Sequence, residues 1–376
     1  MPESIPDYLE TAIPPPNPTL AEGRSRAFGE VGILLAGDGE HGHVHAARAG
    51  IAGEGASAAA HVEYAAATAE PAGVHHVVEL VPRRLLERLV VGGVDGLRIE
   101  TRVEAEPPRG GPGSAGLRSA ANRSWMAWCL AYLGDFAESA AHAKEAVRLA
   151  EAGQHDLSLA MTYSGAGRPH LIQGDFPGAI SWFTKSVEIC RRANFAPLFL
   201  LVACDLGQAY ARSGRVAEAV ALLEEATAQS AALRLMPTHA WNVTMLAETY
   251  LLSGRWEEAA REVERGLVMA QANKQRWVQA EGLRIQSEVR ASAASPDLRG
   301  ARADGEHAAR IAGELGLRPL LGRCYLALAR VGRRAGDTEG LRHLERATAL
   351  FGEMGMGFWQ RQAEAEKRDF EGLSKG

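Results

Sequence analysis

Nowhere in these 376 residues does a lysine directly follow a glycine, so the GxxxxGK[ST] loop that cradles nucleotide phosphates is absent. There are only four cysteines, Cys129, Cys190, Cys204 and Cys324, and none stands in CxxC spacing. They fit reduced core thiols and not a disulfide frame. No apolar run approaches the length of a membrane span, and the N-terminus lacks the basic-then-apolar order of a signal peptide. Excess positive charge is missing too. The formal net charge of −5 gives no general attraction to nucleic acid or to an anionic membrane. A cytoplasmic protein with neither nucleic acid nor membrane as partner is expected.

What the chain does have is a phrase that returns. It first reads Leu133-Gly134-Asp135-Phe136, and its glycine recurs at Gly174, Gly214 and Gly254, each 40 residues after the last. Gly336 belongs to a later copy, and the turn-like run Ala294-Ser295-Pro296-Asp297 fills the gap. Seven residues before these glycines stand Ala127, Gly167, Gly207, Ala247 and Ala329. Five after come Ser139, Ala179, Ala219 and Ala259, and twelve after come Ala146, Ser186, Ala226 and Gly266. Small residues so spaced let two antiparallel helices approach closely. Tyr163, Tyr210, Tyr250 and Tyr325, with leucines near them, fill the space between. The glycine supplies the left-handed residue a helix stop needs, and Asp135, Asp175 or Asp337 can cap the next helix. Pro197, Pro237 and Pro319 fall at helix starts, where a missing N–H costs little. Self-similarity of this kind marks a solenoid. The expected fold is all-α: a right-handed α-solenoid of about six helix-turn-helix repeats over residues 117–373. The segment Phe358–Leu373 is expected to cover its open end.

Residues 1–116 do not keep this period. They hold 11 of the 17 prolines and none of the seven tryptophans. One amphipathic run, Val81–Val90, and a strand near Leu97–Val103 are expected in a stretch of otherwise low order, and Pro107–Gly116 has the composition of a linker. A wrong start or a frame slip in a GC-rich gene would give the same mix of Ala, Gly, Pro, Arg and His.

The small-residue code around each turn resembles the tetratricopeptide repeat, in a form about six residues longer than usual. Longer phrases are similar to one family in particular: Arg123–Leu130 (RSWMAWCL), Gly207–Arg215 (GQAYARSGR), Ala247–Arg255 (AETYLLSGR), the run from Leu315 to Asp337, and Met354–Trp359 (MGMGFW). They resemble the C-terminal repeat region of large bacterial signalling proteins that join a class III adenylate/guanylate cyclase to a signal-transducing ATPase. The resemblance implies the sensor or scaffold part of such proteins, since no cyclase or phosphate loop is present.

Other chemistry is weakly indicated. His41, His43 and His45 alternate as metal ligands on a strand would, but no carboxylate or cysteine completes a site. His75-His76 is weaker still, and Asp95 fits a turn. Gly110–Gly113 has no helix-borne lysine after it. Ser164-Gly165-Ala166-Gly167 has the letters of a nucleophile elbow, yet Gly167 is a packing position. Nothing near Cys204 would lower its pKa. No cofactor and no metal are expected.

The constellation that remains is the concave face. The position six before each turn glycine should point into it, giving Trp128, Arg168, Gln208, Glu248 and Arg330, with Glu288 in the unit of degenerate turn. Neighbouring turns add Arg212, Trp241, Arg334, Tyr132, Thr244, Arg284, Arg323 and Arg333. A mixed polar and aromatic set suits a binding groove, and Arg323, Arg330, Arg333 and Arg334 could clamp an acidic peptide or a phosphate. Arg168 and Arg330 should stand clear of the packed seam, so that replacing them hardly alters stability. The expected function is a non-enzymatic scaffold or sensor that holds a protein or peptide in its groove, in a cyclase- or ATPase-linked pathway. The alternative is a truncated or mis-started fragment of a multidomain cyclase/ATP-binding regulator whose catalytic domains lie upstream.

Overall fold

The computed structural model describes residues 114–373, together with the two-residue strands Ala60–His61 and Leu97–Arg98, which pair in parallel. Val81–Val90, the histidines at 41, 43, 45, 75 and 76, Asp95 and residues 107–113 lie outside the described residues. From Ser114 the chain is all-α. Helix α1 (Ser114–Leu133) pairs with α2 (Phe136–Gly153), α3 (Asp156–Gln173) with α4 (Phe176–Arg192), and α5 (Ala196–Arg212) with α6 (Val216–Ala232). Then α7 (Met236–Leu252) pairs with α8 (Trp256–Ala272), α9 (Arg276–Ser292) with α10 (Leu298–Leu315), and α11 (Arg318–Ala335) with α12 (Glu339–Glu353). A last helix, α13 (Gly357–Leu373), follows the sixth pair. The first helix takes in the last three residues of the expected linker.

Both kinds of turn obey the 40-residue period. Within pairs, Gly134, Gly174, Gly214, Gly254 and Gly336 have φ between +69° and +96°, which only glycine adopts freely. Between pairs the left-handed residue is Gln154 (φ 50°), Asn194 (56°), Arg234 (54°) or Lys274 (55°), also 40 apart. This set of four carries no glycine, so the sequence gives no sign of it, whereas the later turns before α11 and α13 use Gly316 (φ 70°) and Gly355 (63°). It is held by the same long backbone bond as the glycine turns: Phe195 N–H donates to Cys190 C=O at 2.9 Å, and Gln275 N–H to Ala270 C=O at 2.8 Å. Asp175 accepts from Gly178 N–H and Asp337 from Gly340 N–H, whereas Asp135 makes no such cap. The degenerate turn has its own cap, Asp297 accepting from Gly300 N–H at 2.9 Å. The prolines at 197, 237 and 319 stand in the first turns of α5, α7 and α11.

The small-residue code is the seam of each pair. Ala127, Ala247 and Ala329 on one side, and Ser139, Ala179, Ala219 and Ala259 on the other, are fully buried. Where a serine takes the small position it remains satisfied: Ser139 donates to Ala127 C=O at 2.6 Å and Ser186 to Ala160 C=O at 2.7 Å. A Cβ on Gly207 would lie 2.7 Å from Leu223 Cγ, and one on Gly167 would lie 2.6 Å from Phe183 Cε1. Leu223 and Phe183 are again 40 apart, each a knob facing a missing side chain.

The end of the array is not open. Ala131 of α1 and Phe136 of α2 share one apolar core with Phe351, Met354, Met356 and Trp359 from the far end. Trp359 Nε1 donates to Ile172 C=O at 3.2 Å, and Phe358 meets Phe176 edge-on with 4.8 Å between centroids. A Cβ on Gly134 would strike Met354 Sδ at 2.3 Å. Helix α13 therefore packs over the end of the sixth pair, where Phe358–Leu373 was expected to lie, and beyond that expectation it also reaches the second pair.

A buried histidine ties α6, α7 and α8 together. Arg265 lies 2.9 Å from His239 Nε2, whose Nδ1 lies 2.9 Å from Ser230 Oγ; that hydroxyl donates to Thr227 C=O at 2.9 Å. Since Arg265 can only donate, Nε2 accepts and the proton sits on Nδ1. Burial, then Arg265, pushes this imidazole below its ordinary value of 6.5. Burial likewise lowers His142 and His343.

Gly207→Leu should overpack the α5–α6 seam and cost about 1–3 kcal/mol or more, read as a drop in midpoint of a urea melt. The histidines supply a pH test. The unfolded chain takes up these protons near pH 6.5 while the folded chain resists, so stability is retained above pH 6.5 and falls as pH is lowered below it. The Tm should drop between pH 7 and pH 5, and His239→Gln should flatten part of that drop; identical pH profiles would disprove it.

Candidate functional site: the charged interior of the helical array

The odd-numbered helices α1 to α11 face the interior, and their inward turns carry charge that pairs across helices. At its centre is Glu248 of α7, only 4% exposed. It receives Arg212 of α5 at 2.6 Å, Arg284 of α9, and Arg323 of α11 at 2.9 Å. Arg284 also reaches Glu281 at 3.0 Å and Glu288 at 2.8 Å, and Arg323 reaches Glu281 at 2.8 Å. Arg330 holds Glu288 at 3.0 Å, and Arg333 bonds Glu366 of α13. Burial works to raise the Glu248 carboxyl, but Arg212, Arg284 and Arg323 outweigh it and hold the group well below the usual carboxylate range. Burial, with Arg323 and Arg284 close by, brings Arg212 down to about 10 against the pull of Glu248. Both remain ionised at neutral pH.

A second station joins α1, α3 and α5. Arg168, fully buried, is ion-paired with Asp205 and donates to the Tyr132 hydroxyl at 3.1 Å. Its guanidinium lies 3.5 Å from the Trp128 ring centroid. Burial pushes the Asp205 carboxyl up to about 6 despite Arg168. An aromatic line continues from here: Trp125 stacks on Trp128 at 4.7 Å, Tyr132 meets Trp277 of α9 at 5.8 Å, and Trp277 meets Trp241 of α7 at 4.5 Å.

The structure thus gathers Arg212, Glu248, Glu288 and Arg330 into one network and Trp128 with Arg168 into another. Trp241 joins the aromatic line. Gln208 is buried beside Cys204, 3.5 Å from its carbonyl. Arg334 is exposed and donates to Ala291 C=O. Two expectations are corrected. Arg168 does not stand open in the groove but is buried on its inner face, because Asp205 of α5 and Trp128 of α1 close over it. Thr244 points to the seam instead of the interior; it would lie 2.5 Å from a Cβ on Gly266. Asp205, Glu281, Trp277, Trp359 and Glu366 were missed. Asp205 and Glu281 lie three residues before Gln208 and seven before Glu288, on the same helix faces, so that spacing was the available signal. Nothing in the repeat period signals Trp359 or Glu366.

Among the described residues the serine and cysteine candidates for nucleophilic chemistry are poorly placed for it. Ser164 is buried beside the seam position Gly167. Burial pushes Cys190 up to about 11 and Cys129 and Cys324 to about 12, and Cys204 well above its ordinary range. Among the described residues no His/Cys/Asp/Glu group could hold a metal, and no helix is long and apolar enough to cross a membrane.

Residues 210–281 match the tetratricopeptide repeat family. No curated protein matches the chain. Among solved structures, it is similar to a Rap protein complexed with the competence and sporulation factor: 11% identity, TM-score 0.53, 70% of this chain and 76% of that one. It is also similar to the Rap conjugation gene regulator of plasmid pLS20 in complex with the Phr* peptide, at 15% identity and TM-score 0.54, covering 66% and 65%. A signal transduction ATPase with a tetratricopeptide repeat sensor from Pyrococcus horikoshii aligns at 17% identity and TM-score 0.42, over 68% of this chain and 40% of that one. The two Rap likenesses show the fold, a tetratricopeptide-type solenoid; the third carries no argument.

Glu248→Ala would leave three arginines facing one another in a buried space. Breaking a buried pair in this way costs about 3–5 kcal/mol, so the variant should melt well below wild type. An unchanged Tm would show that water already screens the network.

Proposed function

We propose that the chain is a non-enzymatic scaffold or sensor module that holds a protein or peptide partner on the interior face of its solenoid. The observation that carries this reading is the lining itself: inward turns of six helices present arginines, glutamates and aromatic rings where a purely structural interior would be apolar. Part of that lining is still reachable, since the side chain of Arg330 is 33% exposed and that of Glu288 20%. The fold supports a partner-binding role. So do the two Rap proteins, whose structures are complexes with the competence and sporulation factor and with the Phr* peptide. Service in a cyclase- or ATPase-linked pathway rests on the resemblance of the repeat phrases alone. Nucleic acid and membrane are not proposed as partners, given the charge balance.

The test compares partner capture from cell lysate by wild type, Arg330→Ala, Arg334→Ala and an outward control, Glu264→Ala, which is exposed on α8. The two arginine variants should lose at least half of a partner that the control retains, with circular dichroism showing all four proteins folded at the temperature of capture. Arg334, which is exposed, carries the test if loss of the Glu288 pair lowers the Tm of Arg330→Ala. Equal recovery by all four would remove the interior as the binding face.

A further inference from the structure

The segment seated in the interior of this structure is the chain's own last helix. Trp359 lies between two guanidiniums, 4.9 Å from Arg212 and 5.0 Å from Arg323. Four residues on, Ala363 is buried; seven on, Glu366 takes Arg333 and lies 3.6 Å from Arg330. Positions i, i+4 and i+7 make one face of a helix, and this is how an amphipathic helix is read by a groove. The contacts reach helices remote in sequence: Trp359 bonds to α3 and covers α5 and α11 at once.

The charge on the walls says what else would fit there. Without α13, the central network counts five arginines (212, 284, 323, 330 and 333) against three glutamates (248, 281 and 288). Glu366 supplies one of the two missing negative charges, and the exposed Asp369 of the same helix, 3.9 Å from Arg333, supplies the other. The Trp359 ring supplies only a cation–π contact to the other end, and Arg323 Nε is buried with no hydrogen-bond partner. A helix with the same aromatic anchor and a carboxylate within reach of Arg323 Nε would satisfy that end better than α13 does.

We propose that α13 occupies the partner's seat, and that the partner is an acidic amphipathic helix with an aromatic residue at i, a small one at i+4 and a carboxylate at i+7. This rests on the interior being the partner-binding face and adds the chemistry of the partner and its competitor. Binding exchanges one helix for the other, so the affinity measured in solution is reduced by the fraction of time α13 is seated.

The probe is a fluorescein-labelled synthetic peptide with the sequence of residues 354–373, titrated against the full chain by anisotropy. Wild type should bind it weakly, and Trp359→Ala and Glu366→Gln at least tenfold more tightly, with affinity falling as salt is raised. Glu366→Gln keeps the packed tryptophan and so serves where Trp359→Ala does not fold, as circular dichroism will show. A probe lacking both Trp359 and Glu366 side chains should not bind. Equal, tight binding to wild type and both variants would leave the interior as a binding face but overturn the role of α13. No binding to a folded Glu366→Gln chain would overturn the proposed partner chemistry, while lysate capture sensitive to Arg330 would still stand.

Discussion

One buried carboxylate sets the terms for the interior. Glu248 collects guanidiniums from α5, α9 and α11, and each of these serves a further acid or ring. Taking such charges out of water is costly, and only a nearly complete set of partners offsets the cost. The pairing therefore does less for net stability than for geometry. It allows only one relative placement of four neighbouring helices, because a shift of one turn would strand several charges together.

That placement depends on the seams. Alanine, serine and glycine at fixed offsets bring each pair of helices close, so that Phe183 and Leu223 fill the space of a missing side chain at Gly167 and Gly207. Close pairs curve the array, and the curvature brings Met354, Met356 and Trp359 against Ala131 and Phe136. The closing contact is apolar and aromatic; the lining it encloses is ionic. Packing thus positions the charges, and the charges fix the register of the packing.

The interior is also where binding and stability compete for the same side chains. Arg168, sealed between Asp205 and Trp128, is a structural ion pair. Arg330 and Glu288 are satisfied but reachable, and they lie where α13 ends its contact with the network. A partner that replaces α13 would inherit its bonds without leaving a buried charge unpaired, which is the condition for an exchange of modest cost.

The repeat, its period, the glycine turns and the seam positions were legible in the sequence, because each follows from local geometry repeated every 40 residues, but the inward positions were not all legible, since Thr244 faces the seam. Helix count and pairing followed from the same signal. The glycine-free turns at Gln154, Asn194, Arg234 and Lys274 were not, since a backbone bond and not a residue type holds them. Which inward groups meet could not be read either: Arg323 reaches Glu248 across 75 residues and Trp359 reaches Ile172 across 187, and neither separation is a multiple of the repeat. The sequence by itself determined a solenoid with a charged lining. Only the tertiary structure decided that the lining pairs with itself and that the last helix closes over it, because curvature accumulated over six pairs brings together residues that no local pattern relates.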